Sequence, residues 1–184
     1  GNRGSWGIGK IVFPRASLIK TYLVQSVRRP EAAPAGNTSL LFGRTILRWR
    51  DVGSDRYVPD CRWMINNDEG QLIPSDDLAD QTDFLTDWGL ARQPGDLGTS
   101  IVIPFCREDL TATEIVQAII HEYFVAIIGG QLVCEVRDRV GVSTHIDKNS
   151  LPGLIAALPQ DAQRRRTKEE LVEMCELFEA HENH

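Results

Sequence analysis

The residues best placed to do chemistry stand at the start of the chain. Gly4, Ser5, Trp6, Gly7, Ile8, Gly9 and Lys10 put three glycines and a lysine into seven positions, immediately ahead of the apolar run Ile11-Val12-Phe13. Glycines at this spacing admit positive φ and leave main-chain N–H groups open to a polyanion that a Cβ would hold off. A helix opening near Ile8 would add its positive end. Lys10 can set a compact cationic charge against phosphate oxygens. Ser5 can donate its hydroxyl to phosphate or cap the helix. Trp6 reads as a packing or lid residue rather than a stack for a base, because phosphate is expected over the glycines.

Two familiar phosphate motifs do not fit. Gly4-x4-Gly9-Lys10 satisfies G-x4-G-K, but Ile11 stands where Ser or Thr would ligate Mg²⁺, and only three residues precede Gly4, too few for the buried strand that leads into such a loop. The dinucleotide pattern fails because Gly7-x-Gly9 is followed by Val12. Farther along, Gly98-Thr99 opens the apolar run Ser100-Ile101-Val102-Ile103-Pro104-Phe105. His121-Glu122 begins like a zinc-protease motif, but Val125 occupies the place of the second histidine, so His121 is expected as a neutral packing residue beside the core or on the surface. Cys61, Cys106, Cys134 and Cys175 are widely spaced, without C-x-x-C or a partnering histidine pair, and read as reduced thiols. No metal site is expected among them.

The spacing of Gly4, Gly7 and Gly9, followed about ninety residues later by Gly98-Thr99, resembles the second glycine box and the glycine-threonine strand of the GHKL ATPases. That superfamily includes the gyrase B subunits, heat-shock chaperones, histidine kinases and MutL. Gly43-Arg44, Gly89-Leu90-Ala91-Arg92 and Gly98-Thr99-Ser100 are further similar to a strand, a helix end and a strand of one group of bacterial ATP-binding proteins within it. The likeness covers about residues 1 to 137. It implies a Bergerat-type α/β fold, an α+β two-layer sandwich whose mixed β-sheet carries its helices on one face. It implies ATP and Mg²⁺ as cofactors, with Gly4, Ser5, Trp6, Gly7, Ile8, Gly9, Lys10, Gly98 and Thr99 as binding residues and the threonine beside adenine through an ordered water.

The resemblance also implies what this stretch of chain lacks. A complete site of that kind needs a glutamate to activate water, an asparagine to hold Mg²⁺ and a D-x-G-x-G box for adenine, all ahead of the glycine box. Asp51-Val52-Gly53 is half of the last, with Asp55 replacing its final glycine, and Glu179-x3-Asn183 has the first spacing without the following aspartate. Both read as coincidence. The expectation is an N-terminally incomplete portion beginning at Gly1, with no catalytic residue of its own and little hydrolysis, whose intact parent is an ATPase holding Mg²⁺ through residues outside this chain.

The elements that must position these residues follow from periodicity. A short helix runs from the glycines into Phe13, with Pro14 ending or kinking it. Leu18–Val27 and Leu40–Trp49 read as strands, the first apolar on both faces and therefore interior. Residues 51 to 71 lack a sustained period and read as an irregular insertion, ending by about 74, with one short strand near Arg62–Ile65. Ser75-Asp76-Asp77 caps a helix through Trp88 that directs Leu78, Phe84, Leu85 and Trp88 inward and stops at Gly89. Thr111-x-x-Glu114 is a capping box for a long helix, with Ile115, Ala118, Ile119, Glu122 and Ala126 at helical spacing, apolar nearly all round, stopping at Gly129-Gly130. A hairpin around Asp138-Arg139, a short helix at Leu151–Leu158 and a charged helix from about Thr167 complete the chain. The domain reading is residues 1–147 for the ATP-binding portion and 148–184 for a helical extension.

With 184 residues, 42% hydrophobic and 25% charged, the chain can bury a real core. A net charge of -6 argues against a dedicated nucleic-acid surface, and no apolar run is long enough to span a bilayer. The reading is a cytoplasmic, nucleotide-binding protein that couples ATP binding to a conformational change, a homodimer or a protein partner. The alternatives are a noncatalytic interaction module working through its terminal helix, and a nucleic-acid-associated defence or repair factor using Arg28, Arg29 and Arg164-Arg165-Arg166.

Overall fold

Thr21–Val27 (β1) buries side chains on both of its faces, as its sequence requires, because it lies inside a four-stranded sheet of order β5-β2-β1-β8. The computed structural model describes residues 9–33, 38–92, 95–159 and 166–182. The chain divides into two compact units, Gly1–Arg107 and Glu108–His184.

In the first unit a helix, α1 (Gly9–Ala16), precedes β1, and β2 (Ser39–Ile46) follows it. The segment to the next helix holds β3 (Arg50–Val52), β4 (Asp55–Tyr57), β5 (Asp60–Trp63), β6 (Ile65–Asn66) and β7 (Leu72–Ile73). Helix α2 (Leu78–Asp87) and strand β8 (Gly98–Val102) complete the unit. β1 pairs with β2 from Thr21↔Thr45 to Val27↔Ser39 and with β8 from Leu23↔Val102 to Val27↔Gly98, while β2 pairs with β5 from Gly43↔Trp63 to Ile46↔Asp60. All three pairings are antiparallel, not the mixture expected. Short returns such as those from β1 to β2 and from β2 to β5 bring the chain back antiparallel, whereas a parallel neighbour needs a long crossover.

The helices also depart from the one-faced arrangement expected. Strand alternation puts Leu23, Leu41 and Val102 on one face, where α2 packs Phe84 and Leu85 against them. Tyr22 and Val24 point to the other face, where the Phe13 ring of α1 lies 5.5 Å from that of Tyr22. A strand apolar on both sides needs a cover on both. α2 begins as its sequence specifies, Asp77 Oδ1 accepting from Ala79 N at 2.7 Å and Asp80 N at 3.2 Å. It ends at Gly89, where φ is +58°. Leu78, however, is 74% exposed and Trp88 43%. Helical period fixes the direction of a side chain, not whether a neighbour reaches that turn.

The insertion is more regular than its composition implies. β3–β4 and β6–β7 are two small antiparallel ribbons, turning at Gly53 and Gly70 with φ of +63° and +75°, and β5 between them joins the main sheet. Exposed rings find cations locally, Arg56 over Trp49 at 5.0 Å and Arg50 over Tyr57 at 5.3 Å.

The second unit comprises α3 (Ala112–Ile128), the hairpin β9 (Cys134–Arg137) and β10 (Ser143–Ile146), and the helices α4 (Leu151–Ala156) and α5 (Lys168–Glu182). Thr111 Oγ1 accepts from Glu114 N at 3.2 Å, and Gly129 and Gly130 stop α3. The buried stripe of α3 is Ile120, His121, Phe124, Ile127 and Ile128. Of the stripe inferred from Ile115, Ala118, Ile119, Glu122 and Ala126, Ile119 packs against this core and Ala118 and Ala126 are half-buried, whereas Ile115 and Glu122 are exposed, as are Tyr123 and Val125. An all-round apolar helix gives little angular information. The hairpin closes through Asp138 Oδ1, which accepts from Val140 N at 3.0 Å and Val142 N at 2.8 Å, with Gly141 at φ +89°. This longer loop replaces the unfavourable two-residue turn.

Leu171 and Cys175 of α5 are buried in the same cluster as Phe124, Ile146, Leu151 and Ile155. The terminal helices therefore complete this core instead of extending a domain that ends at 147, and the division of the chain falls at Arg107/Glu108.

Candidate functional site

Of the residues expected to hold nucleotide, Gly4, Ser5, Trp6, Gly7 and Ile8 lie outside the described residues. Gly9 and Lys10 are the first two residues of α1. The other end of α1 is held by hydrogen bonds. Ser17, fully buried, donates its Oγ to Pro104 O at 2.7 Å, Arg107 N donates to Ala16 O at 2.9 Å, and Leu18 N donates to Phe105 O at 2.9 Å. The base of the helix is thus stapled to the chain leaving β8. Two non-glycine residues with positive φ, Lys20 at +57° and Phe105 at +50°, flank this junction.

Gly98 and Thr99 begin β8, at the end of the sheet where β1 finishes. Gly98 has φ of +127°, a backbone region that a side chain strains, so glycine is required there for conformation. The Arg92 guanidinium lies against it: Nη2 would be 3.6 Å from a Cβ at Gly98, Nη1 donates to Ser100 Oγ at 3.1 Å, and Nη2 donates to Asp96 O. Gly89-Leu90-Ala91-Arg92 and Gly98-Thr99-Ser100 thereby become one clamp. Gly89 ends α2, Leu90 enters the Leu41–Phe84–Leu85 cluster, and Arg92 closes the turn into β8.

Thr99 faces away from that clamp. It pairs with Ser26, its Oγ1 lies 3.5 Å from Ser26 Oγ, and both hydroxyls are on the sheet face that carries Tyr22, Val24 and α1. The structure therefore brings Thr99 and the helix that follows the glycine stretch to one face of adjacent elements.

Gly43-Arg44 has a structural explanation. A Cβ on Gly43 would stand 2.6 Å from Leu23 Cδ2 and 3.1 Å from Trp63 Cβ, so glycine lets three strands close up. On the opposite face Arg44 forks onto Asp60, Nε to Oδ1 at 2.8 Å and Nη2 to Oδ2 at 2.7 Å, with Arg62 Nη2 at 3.7 Å from the same carboxylate. These hydrogen bonds hold the Asp60 carboxyl below the usual range and raise Arg44 further above its own.

His121 is buried in α3, as a packing position, and its carbonyl accepts from Arg166 Nη1 at 2.5 Å. Arg166 of the basic run is thus used within the fold, while Arg164 and Arg165 lie outside the described residues. The four cysteines are free thiols. Among the described residues no group of three or more His, Cys, Asp or Glu side chains could hold a metal ion, and no helix is long and apolar enough to cross a membrane.

Sequence reasoning missed the partners Ser17, Ser26 and Asp60. Only Asp60 had a local signal, an acid in a strand that could return beside Arg44. It also missed a cleft on the α2 side of the sheet, lined by Leu23, Leu41, Trp63, Phe84, Trp88 and three aspartates of α2.

No protein-family model, curated protein or solved structure matches this chain. What the fold itself defines is an α/β protein with several helices and an open, non-barrel antiparallel sheet.

Proposed function

We propose that the first unit is the phosphate-lid and Gly-Thr portion of a GHKL-like ATP-binding domain. One observation carries this reading: Thr99 and α1, the helix entered directly from the glycine stretch, share a face of the β1–β8 pair, and the base of α1 is stapled to the exit of β8. The backbone N–H groups of Gly4 to Gly9 and the Lys10 ammonium hold phosphate oxygens. Thr99, with Ser26 beside it, offers hydroxyls to the base or to a water that contacts it. Bound Mg-ATP supplies the reactive phosphoanhydride. The acid that would activate water and the asparagine that would hold Mg²⁺ are absent from this chain in recognisable motif form, so the portion binds nucleotide without turning it over appreciably. Its output is movement of the lid about the Ser17–Pro104 staple, coupled to a partner or a second copy.

Calorimetric titration of ATP and ADP into the protein, beside its Gly7→Ala and Lys10→Ala variants, tests the reading. We expect binding by the parent protein and a loss of about tenfold or more in each variant, equivalent to roughly 1.4 kcal/mol. Absence of ATP binding would overturn it. ATP turnover by the 184-residue chain that disappears in Lys10→Ala would instead overturn the assignment of this portion as inactive.

A further inference from the structure

The cleft between α2 and the β2–β5 side of the sheet has a composition that ATP binding does not use. Leu23, Leu41 and Phe84 form its apolar floor, Trp63 and Trp88 stand at its walls, and Asp80, Asp83 and Asp87 complete the lining. The two indoles are 50% and 43% exposed. Large aromatic faces gathered beside an apolar floor are characteristic of binding surfaces, where tryptophan is among the strongest anchors. The position of Trp63 is built in: Gly43 lacks the Cβ that would stand 3.1 Å from Trp63 Cβ.

The charge around this cleft is arranged at a local cost. Asp83 and Asp87 are four residues apart on one helix, a like-charged spacing that destabilises it. They lie toward its C-terminal end, where the helix dipole is already negative, and α2 has no basic residue in its last turn. Asp80 is engaged by Ser75 Oγ at 2.7 Å, but Asp83 and Asp87 make no side-chain hydrogen bond or ion pair among the described residues. A cation bound in the cleft beside Asp83 and Asp87 would relieve each of these unfavourable terms. At about 270 Å³ the cleft is just under the ~300–1,000 Å³ of pockets that take whole small molecules, so it suits a single side chain.

We propose that this cleft is a docking site for an arginine side chain of a partner protein. The planar guanidinium stacks on the indole of Trp63 or Trp88 and forks onto the carboxylates of Asp83 and Asp87, while its stem lies on Leu41 and Phe84. Lysine fits less well, because a strongly hydrated point charge cannot stack or bridge two acids in a plane. The lining includes neither Lys10 nor Thr99, and the proposal does not depend on the nucleotide reading.

Blocked peptides of one alanine–glycine framework, carrying arginine, lysine or glutamate, are titrated into the isotope-labelled protein, and the tryptophan indole N–H resonances are followed. The arginine peptide shifts Trp63 and Trp88 saturably, binds more tightly than the lysine peptide, and weakens as salt is raised. Asp83→Asn with Asp87→Asn weakens it by about tenfold or more. That double variant relieves repulsion and is expected to keep its fold, which its amide spectrum checks, and Trp88→Leu provides a second loss of binding at an unchanged melting temperature. Indoles that do not respond to the arginine peptide, an equal response to the glutamate peptide, or undiminished affinity in the double aspartate variant would each overturn the proposal. ATP is expected to leave the two resonances unmoved.

Discussion

The second unit gathers Ile120, Phe124, Ile127, Ile128, Val136, Ile146, Leu151, Ile155, Leu158, Leu171 and Cys175 into one buried cluster drawn from all five of its elements. The first unit is longer, yet among the described residues its buried cluster is Leu41, Phe84 and Leu85, with Leu23, Leu90 and Val102 beside it, and its other buried apolar residues, Tyr22, Val24, Val27 and Ala33, stand apart from that cluster. Polar side chains also tie its strands to each other and to the segments beside them. Ser17 holds Pro104, Arg44 holds Asp60, Arg92 holds Ser100, and nearly buried Gln81 donates to Ser39 O at 3.2 Å. Apolar packing fills space on every side of an element, whereas a hydrogen bond fixes two atoms and leaves neighbouring surface open. The unit with the smaller buried cluster is the one with the proposed nucleotide face and the aromatic cleft.

Phe124→Ala should produce the largest effect. Phe124 is fully buried, and truncating such a ring costs about 3–5 kcal/mol, read as a lower denaturation midpoint and lost amide protection throughout Glu108–His184. A cost under about 1 kcal/mol would remove the contrast between the units. Gly43→Ala should come next, at roughly 1–3 kcal/mol, because its methyl meets Leu23 Cδ2 at 2.6 Å and Trp63 Cβ at 3.1 Å. Its signature is loss of protection in β1, β2 and β5, and a neutral result would mean that Leu23 moves aside freely.

The smallest effect is acid sensitivity. Asp60 has a folded-state pKa depressed below its usual 3.8, so its contribution is fully present above that value and is lost as pH falls through the folded-state pKa. Partial exposure of the pair limits the contribution to about 1 kcal/mol. Asp60→Asn should therefore be less stable than the parent protein near neutral pH, the gap closing below about pH 4. A gap independent of pH would mean that packing, not the ion pair, matters at this position. Asp147 in the second unit is depressed in the same direction, chiefly by the Ser150 backbone N–H, so acid weakens the entry to α4 too.

Much of the element plan was legible because its causes are local. The caps Asp77 and Thr111 and the stops Gly89 and Gly130 act on atoms a few residues away, and each occurs where its sequence placed it. The insertion was less legible because β5 gains its identity from pairing with β2, and a four-residue strand has too few positions to establish a period. The expectations of a mixed sheet, helices on one face and a boundary at 147 concerned the placing of elements, and these changed.

At the candidate site the same division holds. By itself the sequence determined that three glycines and a lysine precede an apolar helix start, that Gly98-Thr99 opens a strand, and that Arg92 follows a helix stop. Tertiary structure decided that Thr99 points to the α1 face, that Arg92 grips Ser100 on the other, and that Ser17 finds Pro104 at a separation of eighty-seven residues. The reason is range: backbone preference and capping act within a turn or two, whereas register and facing are fixed only when remote strands share hydrogen bonds and cover each other's apolar sides.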